Sequence, residues 1–329
     1  MIILHCKRRV ILSAGILLLL SVMLVSCHKE LVRWPNYLQT HYWVNFDWTD
    51  APKANPSVMN LIVFQKGWEL STEFGFTQKT GGEVDLEAGE YQSLAFNSDT
   101  ENLFYRGTSW ETFEIYTRRT SLSNYSDIFS TSLSFPRGEG SEDEPVIEEP
   151  DMLWTGSAEE MPPAGDKEME SVTLQMQPSV FTYRFVINNV ANLEFVTDIA
   201  ATLSGMSESM FPSTGKVSDT HCIIPVSVKN DGSQTLICTV RSFGHCPDDK
   251  VTKHHLMVYA RLSDGTKWYY DFDVTGDLHN TAQTVTDEDG NIIIEINLKE
   301  LPFPMPIASD GGLHPDVEDW NDVNVDIKL

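Results

Sequence analysis

The sequence predicts an all-β protein built as two β-sandwiches in tandem, and three observations predict it. Apolar residues alternate with a period of two along short runs, as at Tyr42, Val44 and Phe46. Three turn signals, Asn230-Asp231-Gly232, Ser263-Asp264-Gly265 and Glu288-Asp289-Gly290, each sit between apolar alternating runs, which is the strongest short-range mark of a hairpin. The 20 glycines and 16 prolines interrupt the chain so often that few long helical stretches remain. With 329 residues and about 150 residues per domain, there is room for two domains.

The N-terminus reads as an address. Lys7, Arg8 and Arg9 precede an apolar run from Val10 to Val25 that is broken only by Ser13, Gly15 and Ser21. That run is too short for a permanent span and fits a cleaved export signal over residues 1–26. It ends in Leu24-Val25-Ser26-Cys27. A small residue before a cysteine, with a branched apolar residue three positions ahead of it, resembles the bacterial lipobox. The resemblance implies a lipoprotein in which Cys27 is diacylated and becomes the new N-terminus. Several acyl chains on one residue make outer-membrane attachment stable. His28 follows where an inner-membrane retention signal would carry Asp, and both the cell surface and the periplasmic face stay open as locations.

Residues 27–135 read as the first sandwich. Tyr42, Val44 and Phe46 mark a strand, Val58 to Gln65 is a buried apolar run, and Val84 and Leu86 lead through a corner at Gly89 to Leu94 and Phe96. Asp99 to Arg106 reads as a loop or short helix, and Trp110 to Thr117 as another strand. Residues 136–170 carry Glu139, Glu142, Asp143, Glu144, Glu148, Glu149 and Asp151 with no basic residue between Arg137 and Lys167, the pattern of a solvated acidic linker.

Residues 171–329 read as the second sandwich. Strands are expected at Phe181 to Val190, Val196 to Met206, Val217 to Val228, Gln234 to Phe243, Leu256 to Leu262, Lys267 to Val274, Ile292 to Leu298 and Val323 to Leu329. The hairpin around Asn230-Asp231-Gly232 would bring Cys222 and Cys238 near each other, as a disulfide or as buried free thiols. Cys246 makes the number of remaining cysteines odd.

Little in the chain points to chemistry. Its 48 acidic against 23 basic residues give a net charge of −25, which repels nucleic-acid phosphates. Asp287 to Asn291 suggests a calcium loop, but its first and twelfth positions fall on Val285 and Ile296, so it reads as a turn. His254 and His255 are adjacent on a strand, face opposite ways and cannot share a metal. No nucleophile elbow, zinc-protease helix, phosphate loop or dinucleotide pattern occurs, so no enzyme activity, cofactor or metal is expected.

The lipobox, Val44-Asn45-Phe46-Asp47-Trp48, the Glu87-Ala88-Gly89-Glu90-Tyr91 corner, Leu203-Ser204-Gly205-Met206 and Asp319-Trp320-Asn321-Asp322-Val323 together resemble fimbrillin-like lipoproteins of Bacteroidales, in particular FimB-type fimbrial anchor subunits and a related lipoprotein family of unknown function. That resemblance implies transthyretin-like sandwiches and a role in cell-surface fimbriae, whose subunits join by donating a strand to a neighbour's sheet. In stalk subunits an arginine-specific protease frees a first strand. Here no arginine lies between Arg33 and Arg106, which argues against a polymerising stalk subunit and for a lipid-retained anchor or a stand-alone relative. The Val323 to Leu329 strand is either the exchange element or the last strand of its own domain. The alternative is a stand-alone glycan-binding surface lipoprotein, which would need exposed coplanar aromatics among Trp68, Trp110 and Trp154.

Overall fold

The computed structural model describes residues 39–322 apart from 70, 88, 131–134, 164–168, 231, 248–252, 281–283, 288–290 and 307–319. The export signal, Cys27 and the expected strand Val323 to Leu329 lie outside the described residues. In chain order the first strands are β1 (Gln39–Asp47), β2 (Met59–Gln65), β3 (Ser71–Phe76), β4 (Gly81–Glu87), β5 (Tyr91–Asn97), β6 (Phe104–Arg106), β7 (Glu114–Tyr116), β8 (Trp154–Ala158), β9 (Glu170–Gln175) and β10 (Gln177–Pro178). They are followed by β11 (Phe181–Ile187), β12 (Val196–Ser207), β13 (Ser209–Phe211), β14 (Lys216–Val217), β15 (His221–Asn230) and β16 (Leu236–Ser242). The last are β17 (His255–Leu262), β18 (Lys267–Asp273), β19 (Thr284–Thr286), β20 (Ile292–Leu298) and β21 (Trp320–Asp322). Among the described residues two short α-helices, α1 (Asp127–Ser130) and α2 (Thr275–Leu278), join them, so the all-β expectation holds.

The first core lies between two sheets. β1 sits between antiparallel β4 and parallel β9, and a second sheet runs β10-β8-β5-β2-β3. The period-two pattern turns Tyr42, Val44 and Phe46 inward against Met59, Leu61 and Val63, with Val84, Leu86, Val172 and Leu174 alongside. Trp48 and Trp154 close this core edge to face at 6.3 Å.

The second core is enclosed by one long sheet folded on itself, in the order β19-β20-β11-β16-β15-β12-β17-β18-β21. The fold line is β15: His221 to Val226 pair with β12, and Ser227 to Asn230 pair with β16. Pro225, which has no N–H to give, falls just before this switch, where a strand bends from one layer into the other. Phe185 and Ile187 of β11, Leu236 and Val240 of β16, Leu203 of β12, Val258 of β17 and Phe272 of β18 fill the space between the layers. The Asp264-Gly265 hairpin closes as expected, with Gly265 at φ +85° and the Thr266 N–H donated to Asp264 Oδ1 at 2.9 Å. A small sheet, β14-β13-β7-β6, takes strands from both halves of the chain, pairing Met210 with Ile115.

Several sequence expectations need correction. Asp99 to Arg106 is not a plain loop or helix, because Phe104–Arg106 pairs with β7 and the Tyr105 ring stacks on Phe113 at 5.4 Å. The strand expected over Trp110 to Thr117 is confined to Glu114–Tyr116, since the Thr112 and Phe113 N–H groups donate to Ser109 O in a turn. The described part of the expected acidic linker, residues 136–163, is packed rather than solvated. Arg137 Nη1 donates to the carbonyls of Glu142 and Glu144 at 2.8 Å each, Val146 bridges to Ile223, and Ile147 is fully buried. Trp154–Ala158 is a strand beside β5, and Glu170–Gln175 pairs with β1, so this stretch returns the chain to the first core. Local charge counting misses this because the contacts that neutralise the acids come from distant residues.

Glu144 shows how this works. A bulge in β12 between Leu203 and Met206 takes the Gly205 N–H out of the ladder, and Glu144 Oε2 accepts it at 2.9 Å. Burial pushes the Glu144 carboxyl up to about 7, against the pull of that N–H and of Arg137. The carboxyl is neutral in both folded and unfolded chains below its ordinary value of 4.5; above that, ionisation costs the fold progressively, at most about 3 kcal/mol once the folded pKa is passed. Glu144→Gln is therefore expected to be more stable than the parent above about pH 8 and equal to it near pH 4, read from denaturant midpoints. A difference independent of pH would contradict this.

Candidate functional site

A sheet edge carries unpaired backbone N–H and C=O groups, and proteins guard such edges with charge, bulges or short length. Among the described residues the longest edges are β3, β4 and β9. β4 presents exposed Glu83, Asp85 and Glu87, with Asp85 held by His41 at 2.5 Å. β3 presents Glu73, which accepts from Asn60 Nδ2 at 2.5 Å and from the Tyr105 hydroxyl at 3.1 Å. β9 carries no charge beyond Glu170. Val172 and Leu174 face the core while Ser171, Thr173 and Gln175 face out, so the edge is the least guarded and its alternation fixes register for an added strand. Beside it, Trp43 lies opposite Ser171 and is 42% exposed, as is Met169 just ahead of β9.

β1 is the first of the described strands. It is hydrogen-bonded on both sides, and Tyr42, Val44 and Phe46 are almost fully buried. Removing it would break the sheet in its middle. At the far end of the long sheet β21 lies parallel to β18, with Trp320 edge to face on Tyr259 at 5.3 Å and Asn321 Nδ2 donating to Lys267 O at 3.2 Å.

The cysteine expectation is corrected by register. Cys238 lies opposite Val228 on β15, whereas Cys222 pairs across to Met206 on β12. Six residues of strand, about 20 Å, separate Val228 from Cys222, far beyond disulfide reach. Cys222, Cys238 and Cys246 are free and buried, and burial pushes the Cys238 and Cys246 thiols up to about 12. The thiol neighbouring Cys222 is Cys246: both donate to Met206 O, at 3.2 and 3.4 Å.

Both members of the histidine pair are buried. His255 Nδ1 meets Asp271 Oδ1 at 2.6 Å, while His254 turns the other way, toward His279 and His245. No sequence motif marks that second cluster. Of the aromatics a glycan platform would need, Trp68 is 70% exposed but Trp110 and Trp154 are half-buried against separate cores. A cleft lined by Leu193, Val196, Asp198 and Leu236 holds one carboxylate, Asp198, which is paired with Arg261 at 2.8 Å. Among the described residues no helix is long and apolar enough to cross a membrane.

Known proteins place this geometry. A family profile described as a domain of unknown function, DUF5119, matches residues 26–227. A Bacteroides ovatus protein named as a fimbrium anchoring subunit, Fim4B, is 24% identical over 197 residues, 59% of this chain and 54% of that protein, so the match spans about half the relative's length. The crystal structure of a protein described as an adhesin from Bacteroides ovatus superposes with a TM-score of 0.62 at 18% identity, over 82% of this chain and 94% of that one. A protein described as polysaccharide-binding from Bacteroides thetaiotaomicron gives 0.51 at 12% identity, over 79% and 90%. The two structures share the fold. The family profile covers more than half of the sequence, and the chain belongs to the DUF5119 family.

Proposed function

We propose that the protein is a non-enzymatic accessory subunit of a surface fimbrium, held on the outer membrane through acylated Cys27 and gripping its partner by strand addition at a sheet edge. The observation that carries this reading is the combination of a locked first strand with an unguarded edge: β1 cannot be released, and β9 beside it offers uncharged backbone in fixed register. The relative named as a fimbrium anchoring subunit supports the same role. The partner contributes an extended strand whose alternate side chains reach the Trp43 and Met169 rim.

Thr173→Lys places a charge on the exposed face of that edge without touching the core. In the native envelope it is expected to lower co-purification of fimbrial subunits by about tenfold, equivalent to about 1.4 kcal/mol. Glu83→Lys on the opposite edge is expected to leave recovery unchanged. Equal recovery with both variants would remove β9 as the contact.

A further inference from the structure

We propose that His245, His254 and His279 form a binding site for one divalent transition-metal ion of the zinc class. The three side chains each offer a ring nitrogen, and these nitrogens all lie within 4.8 Å of one another. His254 Nε2 and His279 Nε2 are 3.2 Å apart. Ligands held about 2.0–2.1 Å from a tetrahedral zinc ion stand about 3.3–3.4 Å from each other, so this pair already spans one edge of the coordination tetrahedron.

The backbone fixes all three positions. The His254 N–H donates to Thr275 Oγ1 at 2.8 Å and its carbonyl accepts from Val274 N at 2.9 Å, tying the start of β17 to α2. The His279 N–H donates to Thr275 O at 3.2 Å at the end of that helix. His245 bridges to Met206 beyond the end of β16. Its Nδ1 donates to the Cys246 carbonyl at 3.0 Å, which places the proton there and the lone pair on Nε2, the arrangement that orients histidines bound to metal. The site joins three segments at one end of the second core, with His254 buried and the other two half-buried. Among the described residues the cluster is three imidazoles without a carboxylate, a donor set that selects zinc, copper or nickel over calcium or magnesium.

The full-length protein, purified in detergent with a tag free of histidine and stripped of metal, is titrated with zinc by calorimetry and with cobalt by visible absorption. One equivalent of zinc, a rise in unfolding temperature and the ligand-field bands of tetrahedral cobalt are expected. His279→Gln and His245→Gln are each expected to weaken binding at least about 100-fold while keeping the metal-free unfolding temperature, and His221→Gln to leave binding unchanged. Absence of bound zinc, or binding that survives both variants, would overturn the site.

Discussion

Phe185→Ala is expected to destabilise the protein by about 3–5 kcal/mol. The ring is fully buried on β11, between Cys238 on one neighbouring strand and Ile296 on the other. Its loss removes a large apolar surface and leaves a cavity that rigid sheet layers cannot close. Equilibrium urea unfolding followed by the fluorescence of Trp268, which packs against the same core, reads the change. Trp68→Ala, at a residue 70% exposed, is expected to stay within about 0.5 kcal/mol. A loss below about 1 kcal/mol for Phe185→Ala would mean that the second core is not packed as described.

Gly81→Ala is expected to act on the first core, at a cost of about 3 kcal/mol or more. Gly81 has φ +98°, which L-residues avoid, and a Cβ there would stand 2.1 Å from the Val44 carbonyl oxygen. The clash is with backbone, so no side-chain rotation relieves it, and β4 has to move off β1 at Asn45. The expected result is early loss of the first core on heating, monitored by hydrogen exchange along β1. Gly232→Ala, at φ +82° with open space around it, is expected to cost only about 1 kcal/mol. Equal effects from the two substitutions would contradict the tight β1–β4 approach.

The strands that were legible in the sequence are those whose pattern is local. Tyr42, Val44 and Phe46, the run ending at Gln65, and the hairpin around Asp264-Gly265 each carry their own period or turn chemistry, and each is found where expected. What the sequence hides is pairing at a distance. Val172, Leu174 and Met176 alternate as plainly as Tyr42 does, yet nothing local says that they run parallel to β1 across an acidic stretch. The cysteine pairing fails for a related reason: β15 divides its partners between β12 and β16, and a hairpin reading assumes one partner for the whole strand. Glu144 looks like one acid among many, and only the bulge at Gly205 explains its burial. His245, His254 and His279 follow no ligand spacing because two sheet segments and the end of a short helix, not a motif, bring them together.

In the proposed role, this chain joins its sheet edge to another subunit. The most direct test is an envelope preparation from the native host, run unboiled and boiled on a detergent gel and probed for the tagged protein. Strand-exchanged contacts rest on many backbone hydrogen bonds and resist detergent until heated. Strand addition predicts a heat-sensitive high-mass ladder that collapses on boiling to the band of this protein alone. A single monomer band under both conditions would contradict it.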